Sequence, residues 1–343
     1  MKAVRIHEHG GLDVLRIETL PDPEPGPGEL LLEMKAVGLN HLDTWVRRGV
    51  PGHRFPLPIT PGSDGAGVVA ALGPGVEGFA VGDRVAVAPG FSCGHCEACW
   101  SGRDHYCRHY GIRGESGDGV QCDLFALPVA GALPIPEGMS FETAAAVPLV
   151  FLTAWEMLVA KARVRSGDWV LVQAAGSSVS AASIQIARHF GATVVATAGT
   201  DAKLARARDL GAAHAINYEE QDFVAEVKRI TGRRGVDIAV DHVGEKTIAG
   251  SLRCLAPGGR VVTCGATTGP ALEADLRAVF FKNLAVLGST MGSRGTLPHI
   301  LRLVAEGIFD PVIDRVLPLG EVAEAHRLMG ERQQFGKIVM IPW

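Results

Sequence analysis

The fold is decided by the stretch Trp169-Val170-Leu171-Val172-Gln173-Ala174-Ala175-Gly176-Ser177-Ser178-Val179-Ser180. It begins with the apolar, β-branched residues of a buried strand, and the small residues that follow open a helix. Small residues at such a junction let backbone N–H groups approach a pyrophosphate at the helix N-terminus. Only Gly176 remains of the glycines that such a turn usually has, so the motif alone is weak.

The sequence on both sides strengthens this motif. Downstream, apolar strands predicted at 193–197, 215–217, 236–241, 260–264 and 284–288 alternate with amphipathic helices, as in a doubly wound parallel sheet. Upstream, an apolar helical stretch is predicted over 144–160, after short strands at 30–37, 65–71 and 84–88. We therefore predict an α/β protein of two domains: a parallel sheet in 151–290, and a β-rich domain in 1–150 that is completed by 291–343.

Composition excludes several functional classes. The 343 residues carry a formal net charge of −4 with both signs interspersed, whereas proteins that bind nucleic acid or anionic membranes need a sustained cationic face. Neither a secretory signal nor a run of about 20 apolar residues is visible. We therefore expect a cytoplasmic protein without a nucleic-acid or membrane partner.

Four cysteines mark a candidate metal site in a lobe at 90–110. Cys93, Cys96, Cys99 and Cys107 have the spacing C-x2-C-x2-C-x7-C, which allows four thiolates to converge on one zinc ion. Four thiolates leave no open coordination position, so we predict one structural zinc that folds a lobe poor in apolar residues. The alternative is a set of free thiols.

Further sequence blocks give the whole chain a resemblance to the medium-chain dehydrogenase/reductase superfamily. They are Gly62-Ser63-Asp64-Gly65-Ala66-Gly67-Val68-Val69, Val81-Gly82-Asp83-Arg84-Val85 and Ala256-Pro257-Gly258-Gly259-Arg260, together with the cysteine lobe. The resemblance implies a GroES-like catalytic domain that carries the zinc lobe, and a Rossmann domain that binds a nicotinamide dinucleotide. Within the superfamily, Asn40-His41-Leu42-Asp43 and Ala174-Ala175-Gly176 look most like the quinone-oxidoreductase branch.

The chain departs from the zinc alcohol dehydrogenases at the catalytic metal. In those enzymes a cysteine, a histidine–glutamate pair and a second cysteine hold the zinc. On this sequence these places fall on Asn40, Ser63-Asp64 and Leu149. No thiolate or imidazole remains among them, so a catalytic zinc is not expected.

The candidate catalytic residues are Asn40, His41, Asp43 and Asp64. An alternative use of His41 and Asp43 is a rebuilt metal site, but neighbours two apart rarely converge on a metal without a third ligand. Without a Lewis acid the site is poorly suited to alcohol oxidation, whereas a quinone or an α,β-unsaturated carbonyl delocalises the charge that hydride transfer creates. Donors such as Asn40 or backbone N–H groups could stabilise that charge.

The resemblance also implies the residues that contact the cofactor, which are Thr153, Gly176, Ser177, Ser178, Val179, Thr200, Lys203, Tyr218, Cys264, Gly265 and Lys337. NAD-specific members end the second strand of the sheet with an acidic residue, and this chain has Ala198 there. Lys203 and Tyr218 fall where the quinone-oxidoreductase branch contacts a 2′-phosphate. NADP(H) is therefore favoured over NAD(H), although Asp201 is a discordant charge.

Three functional hypotheses follow. The first is an NAD(P)H-dependent reductase of a small quinone or α,β-unsaturated carbonyl that works without catalytic zinc. The others are an alcohol dehydrogenase with altered active-site ligands, and a nucleotide-binding protein with little catalysis. We also predict a homodimer or homotetramer, because the apolar strand at 284–288 lies at the sheet edge that this superfamily joins across a two-fold axis.

Overall fold

The computed structural model describes all 343 residues, and the chain divides into two compact units. The first unit comprises Met1–Leu152 together with Ser293–Trp343, and the second comprises Thr153–Gly292. The first unit is therefore discontinuous in sequence, because the second is inserted into it.

Seventeen strands are present. In chain order they are β1 (Lys2–Arg5), β2 (Arg16–Thr19), β3 (Glu29–Leu39), β4 (Asp64–Leu72), β5 (Arg84–Val87), β6 (Gly90–Phe91), β7 (Gly111–Ile112), β8 (Leu124–Pro128), β9 (Ala132–Pro134), β10 (Trp169–Val172), β11 (Thr193–Ala198), β12 (His214–Asn217), β13 (Val236–Val240), β14 (Leu255–Thr263), β15 (Ala285–Gly288), β16 (Ile313–Pro318) and β17 (Lys337–Ile341).

Eleven α-helices connect them. In chain order they are α1 (His41–Arg48), α2 (Glu97–Trp100), α3 (Phe141–Ala146), α4 (Pro148–Trp155), α5 (Ser178–His189), α6 (Asp201–Asp209), α7 (Phe223–Ile230), α8 (Ile248–Cys254), α9 (Leu276–Phe281), α10 (Leu297–Ala305) and α11 (Val322–Gly330). The longest, α5, has 12 residues, and none of the helices is long and apolar enough to cross a bilayer.

The first unit is built on a seven-stranded sheet. Its strand order is β16-β17-β3-β4-β5-β9, and β8 also pairs with β3. β3 alternates buried and exposed residues along its first half, and Leu30, Leu32 and Met34 point into the main core of the unit. β17, from the end of the chain, pairs antiparallel with β3, so a late segment completes the sheet that the early residues begin.

The second unit is a six-stranded sheet with the order β12-β11-β10-β13-β14-β15. Every neighbouring pair is parallel. The strands are rich in Val, Ile and Ala and almost fully buried, as expected when helices cover both faces. The chain reverses its direction of travel across the sheet between β10 and β13, where such folds bind ligands at the carboxyl ends of the strands. The predicted α/β fold, with a doubly wound sheet and a GroES-like β-rich domain, is confirmed.

The helical stretch predicted over 144–160 is present, but it is interrupted at Val147. α3 ends at Ala146 and α4 begins at Pro148, and the segment Glu156–Lys161 then continues as a π-helix. Proline has no N–H and restricts the residue before it, so Val147 separates the two helices. The apolar character of the whole stretch hid this break.

Candidate functional site

The four cysteines of the lobe come together as one cluster. Cys93 follows β6, Cys96 and Cys99 lie at the start and within α2, and Cys107 follows the short turn Asp104–Tyr106. All four Sγ atoms lie within 4.8 Å of one another. The predicted metal ligands are thus brought to one point by local chain turns.

The cluster has the dimensions of a zinc site. The Sγ–Sγ distances are 3.9 Å from Cys93 to Cys99, 3.6 Å from Cys96 to Cys99 and 3.5 Å from Cys93 to Cys107. A tetrahedron with zinc–sulfur bonds of about 2.3 Å has edges of about 3.8 Å. The backbone N–H of His109 donates to the Cys107 sulfur at 3.3 Å, as a thiolate ligand requires. These residues therefore fit a closed structural zinc site.

A buried polar cluster lies elsewhere in the first unit, at the start of α1, the start of β4 and the start of β17. The ammonium of Lys337 donates to Asn40 Oδ1 and to Asp64 Oδ2, both at 2.6 Å. Asn40 Nδ2 donates to the same Asp64 oxygen at 3.0 Å, and the backbone N–H of Leu149 donates to the other at 2.8 Å. Lys337 is 1% exposed and Asp64 is fully buried, so the two form a buried ion pair.

A second carboxylate, that of Asp43, connects two of the chain segments that form this cluster. Asp43 accepts the backbone N–H of Asn40 at 2.7 Å and that of Gly62 at 2.9 Å, which ties the start of α1 to the segment that enters β4. Burial raises the pKa of Asp43 to about 7, although the two N–H groups and the charge of Lys337 act in the opposite direction. Asp43 is fully buried.

The structure brings three of the four candidate catalytic residues into one hydrogen-bonded cluster, and the side chain of the fourth, His41, packs elsewhere. Asn40, Asp43 and Asp64 share the cluster just described, whereas the His41 ring packs edge-on against Trp45 with centroids 5.2 Å apart. Lys337, predicted from the resemblance to contact the cofactor, is bonded to Asn40 and Asp64. The sequence signal for this cluster was a lysine that begins an otherwise apolar strand.

The second unit contains the predicted dinucleotide turn. β10 ends at Val172, Ala174 has a φ of 53°, and α5 begins at Ser178 with Ser177 as its N-cap residue. Gly176 lies at the crest of this turn, and a Cβ there would come within 3.0 Å of the Lys203 side chain. Ser177, Ser178 and Val179 therefore present the first N–H groups of the helix beside Gly176.

The side chains predicted to contact the adenosine ribose and its 2′-phosphate lie after β11 and β12. Thr200 is the N-cap residue of α6 and accepts the backbone N–H of Lys203, so its hydroxyl oxygen is engaged in capping. The Lys203 ammonium lies 3.3 Å from the position of a Cβ at Gly176, which places its charge over the turn. Tyr218 is 38% exposed, and its hydroxyl would lie 3.0 Å from a Cβ at Gly199.

The remaining predicted cofactor residues lie in other parts of the second unit. Cys264 and Gly265 follow β14 directly, at the carboxyl edge of the sheet, and Thr263 Oγ1 donates to the Gly265 carbonyl at 2.9 Å. Thr153 is buried in α4, and its hydroxyl lies 3.9 Å from the Met291 sulfur.

A polar network beneath the turn was not predicted. Thr197 Oγ1 accepts the backbone N–H of Ala174 at 3.2 Å and donates to Gln173 Oε1 at 2.6 Å. Gln173 Nε2 donates to the Ser251 hydroxyl at 3.1 Å, which donates to Asp241 at 2.7 Å. Polar residues at the ends of apolar strands were the available signal, but their pairing across three strands is a tertiary property.

Comparisons with known proteins identify the family of the chain. The family of the alcohol dehydrogenase GroES-like domain matches residues 26–137, and that of the zinc-binding dehydrogenases matches residues 178–306. A 2-haloacrylate reductase from Burkholderia sp is 33% identical over 99% of this chain and 98% of its own. A quinone oxidoreductase from Rattus norvegicus is 30% identical over 99% and 98% of the two chains.

A solved structure is similar over the same length. The crystal structure of an NAD-dependent alcohol dehydrogenase is 51% identical, covers 99% of each chain and has a TM-score of 0.96. The resemblance to this superfamily is thereby confirmed. The chain belongs to the medium-chain dehydrogenase/reductase superfamily, as an NAD(P)-dependent oxidoreductase of the zinc-type alcohol dehydrogenase and quinone reductase family.

Proposed function

We propose that this protein is an NADPH-dependent reductase of quinones or α,β-unsaturated carbonyls, with one structural zinc and no catalytic zinc. The observation that carries the proposal is the buried Lys337–Asp64 ion pair with Asn40. Of these, Asn40 and Asp64 stand where the zinc alcohol dehydrogenases have metal ligands. An ammonium that donates to both Asn40 and Asp64 occupies the oxygen atoms that a cation would need.

The donor set supports the same conclusion. Asn40, Ser63, Asp64 and Leu149 provide one carboxylate and no thiolate or imidazole, which is a poor set for zinc. Ser63 donates its hydroxyl proton to the Arg113 carbonyl at 2.8 Å, so it is engaged in a structural contact. The four thiolates of the lobe, in contrast, form a complete zinc set.

The reduction of a conjugated carbonyl requires little of the protein beyond orientation and charge stabilisation. The nicotinamide supplies a hydride when bound, and the proton that completes the two-electron reduction comes from water or through His41. Asn40 has two amide N–H groups, of which one donates to Asp64. We assign the other to the oxygen on which negative charge develops. Lys337 and Leu149 fix Asp64 and thereby the orientation of that amide.

The preference for NADPH rests on Lys203, Tyr218 and Ala198. Ala198 removes the acidic group that would repel a 2′-phosphate, and Lys203 supplies a cation at the turn. Asp201 accepts a hydrogen bond from the Asn217 amide at 3.3 Å, which directs this discordant carboxylate toward β12.

The substitution Lys203→Ala tests the preference. We expect the KM for NADPH to rise roughly tenfold, or about 1.4 kcal/mol, because one charge-assisted contact is lost. The KM for NADH should hardly change, since that ligand has no 2′-phosphate. A better kcat/KM with NADH in the wild-type protein would reverse the assignment.

Alcohol–aldehyde interconversion is the second candidate, and several similar solved structures that are named alcohol dehydrogenases favour it. The structure that is 51% identical is named an NAD-dependent alcohol dehydrogenase. Oxidation of NADPH and NADH should therefore be followed with a quinone, an enal and a saturated aldehyde, and reduction of NADP⁺ and NAD⁺ with primary alcohols. Turnover of the quinone or enal that persists after chelation of loosely bound metal supports the proposal. Turnover restricted to alcohols and saturated aldehydes would contradict it.

We also propose that the protein is a homo-oligomer through the edge of the second unit's sheet. β15 is the last strand of that sheet, and Val286 in it is 47% exposed. In the preceding helix α9, Leu276, Phe280 and Phe281 are 73%, 60% and 77% exposed, which forms an apolar patch beside an unpaired edge. Light scattering should give a dimer or tetramer, and Phe280→Ser with Phe281→Ser should shift it toward monomer. A monomeric wild-type protein at micromolar concentration contradicts this proposal.

A further inference from the structure

Ser180 and His242 form an unusual pair at the dinucleotide turn of the second unit. Ser180 lies in the first turn of α5, where the resemblance leads one to expect glycine, and it is fully buried. Its Oγ lies 2.7 Å from the Gln173 carbonyl and 2.8 Å from His242 Nε2. His242 follows β13 by two residues, so the contact joins the first turn of α5 to the loop after β13.

Counting protons assigns the direction of these hydrogen bonds. The Gln173 carbonyl can only accept, so the single Ser180 hydroxyl proton is donated to it. The His242 Nε2 must then carry a hydrogen and donate to the Ser180 oxygen. Burial lowers the pKa of His242 although the charge of Asp241 opposes this, so the ring is neutral at neutral pH. His242 is therefore the Nε2–H tautomer.

The chain segment that bears His242 is itself fixed. The Asp241 carboxylate is fully buried and accepts the backbone N–H groups of Val243 and Gly244 at 3.0 and 3.1 Å. It also accepts the hydroxyls of Thr247 and Ser251 at 2.8 and 2.7 Å. With four donors directed at it, Asp241 fixes the loop after β13 and hence the imidazole that reaches Ser180.

We propose that Ser180 and His242 together are positioning residues for the dinucleotide turn, a proposal that rests on the assignment of the cofactor to that turn. A serine at this position introduces a hydroxyl into a site that a glycine leaves apolar and closely packed. The imidazole satisfies the oxygen of that hydroxyl, and the hydroxyl proton holds the Gln173 carbonyl immediately before the turn. The pair thereby fixes the spacing between β10, β13 and the start of α5 that the cofactor pyrophosphate would meet.

A double-mutant cycle tests the pair, with the Kd for NADPH measured by fluorescence titration in the absence of any carbonyl substrate. Ser180→Ala and His242→Phe should each raise the Kd about three- to tenfold, as the loss of one buried hydrogen bond gives. In the double variant the Kd for NADPH should rise by a factor well below the product of the two single factors. The reason is that each single change already leaves the other group without its partner. KM for NADPH should follow Kd, while kcat changes less than twofold.

Ser183→Ala is the matched control. Ser183 is a buried serine in the same helix whose hydroxyl donates to the Val179 carbonyl at 2.8 Å, so its removal should leave the Kd unchanged. Variants that lower the melting temperature without changing the Kd, or single effects that multiply in the double variant, would overturn the inference. Wild-type protein that binds neither NADPH nor NADH would instead overturn the proposed function.

Discussion

The first unit contains two places where this superfamily holds zinc, and the side chains at the two places are of different chemical kinds. The lobe keeps four cysteines with Sγ atoms within 4.8 Å of one another. At the other place an ammonium, a carboxylate and an amide are joined by hydrogen bonds of 2.6 to 3.0 Å. Four thiolates repel one another and need a metal ion to hold them together. In the second cluster the ammonium of Lys337 neutralises the carboxylate of Asp64. The difference teaches that one unit can combine a cluster of metal-ligating thiols with a buried polar cluster whose charges are balanced by its own side chains.

The largest effect should come from removing a ligand of the lobe. We expect purified protein to contain one zinc per chain, and Cys99→Ser to lose it, with a marked fall in melting temperature, because metal binding supplies the folding energy of this lobe. Elemental analysis with thermal unfolding measures both. Cys254→Ser, which changes a buried cysteine outside the lobe, should keep the zinc.

Two tightly bound zinc ions per chain would contradict the proposal that the second place holds no metal. A zinc-free Cys99→Ser protein that is as stable as the wild type would show that the lobe does not depend on metal.

The next effect concerns the ion pair. Lys337→Met leaves the Asp64 carboxylate buried without its cation, so the free energy of unfolding should fall by about 3–5 kcal/mol. Lys35→Met is the matched control, since Lys35 pairs with Glu33 at the surface of the same unit and its loss should cost less than about 1 kcal/mol. Urea denaturation measures both variants. Equal effects of the two substitutions would mean that Lys337 is not the neutralising charge.

The smallest effect is the pH dependence that Asp43 contributes. Its pKa rises from 3.8 to about 7 on folding, so the native state binds a proton more tightly than the unfolded chain does. The stability that this proton provides is complete below about pH 4 and is lost as the pH rises through 7. A shift of about 3 pKa units corresponds to at most about 4 kcal/mol.

Urea unfolding between pH 4 and pH 8 measures this contribution. In Asp43→Asn that part of the pH dependence should disappear, because an amide does not titrate. If Asp43→Asn kept the wild-type dependence of the free energy of unfolding on pH over this range, titration of Asp43 would not be its cause.

The contrast between the two places also explains what the sequence could reveal. The lobe was predicted because its four ligands lie within one short segment, and their spacing reports a local geometry. The parallel, doubly wound sheet of the second unit was predicted because strands and helices alternate regularly.

Asn40, Asp64 and Lys337 were named as site residues, but their contact was not predicted. Asn40 and Lys337 are separated by 297 positions and meet through the pairing of β3 with β17. Ser180 and His242 are 62 positions apart and meet for the same kind of reason. Pro148 carried a local signal for a helix break, which the apolar run around it concealed.

The late position of Lys337 has a consequence for how the protein is made. A ribosome synthesises Asn40 and Asp64 early and then the whole inserted unit from Thr153 to Gly292 before Lys337 emerges. Until then Asp64 lacks its counter-ion and β3 lacks β17 along one edge. Contacts of such long sequence separation form slowly, so the edge of β3 that pairs with β17 stays unpaired until the residues of β17 have been synthesised. The same pairing that brings Lys337 to Asp64 therefore makes this unit the last to be completed during translation.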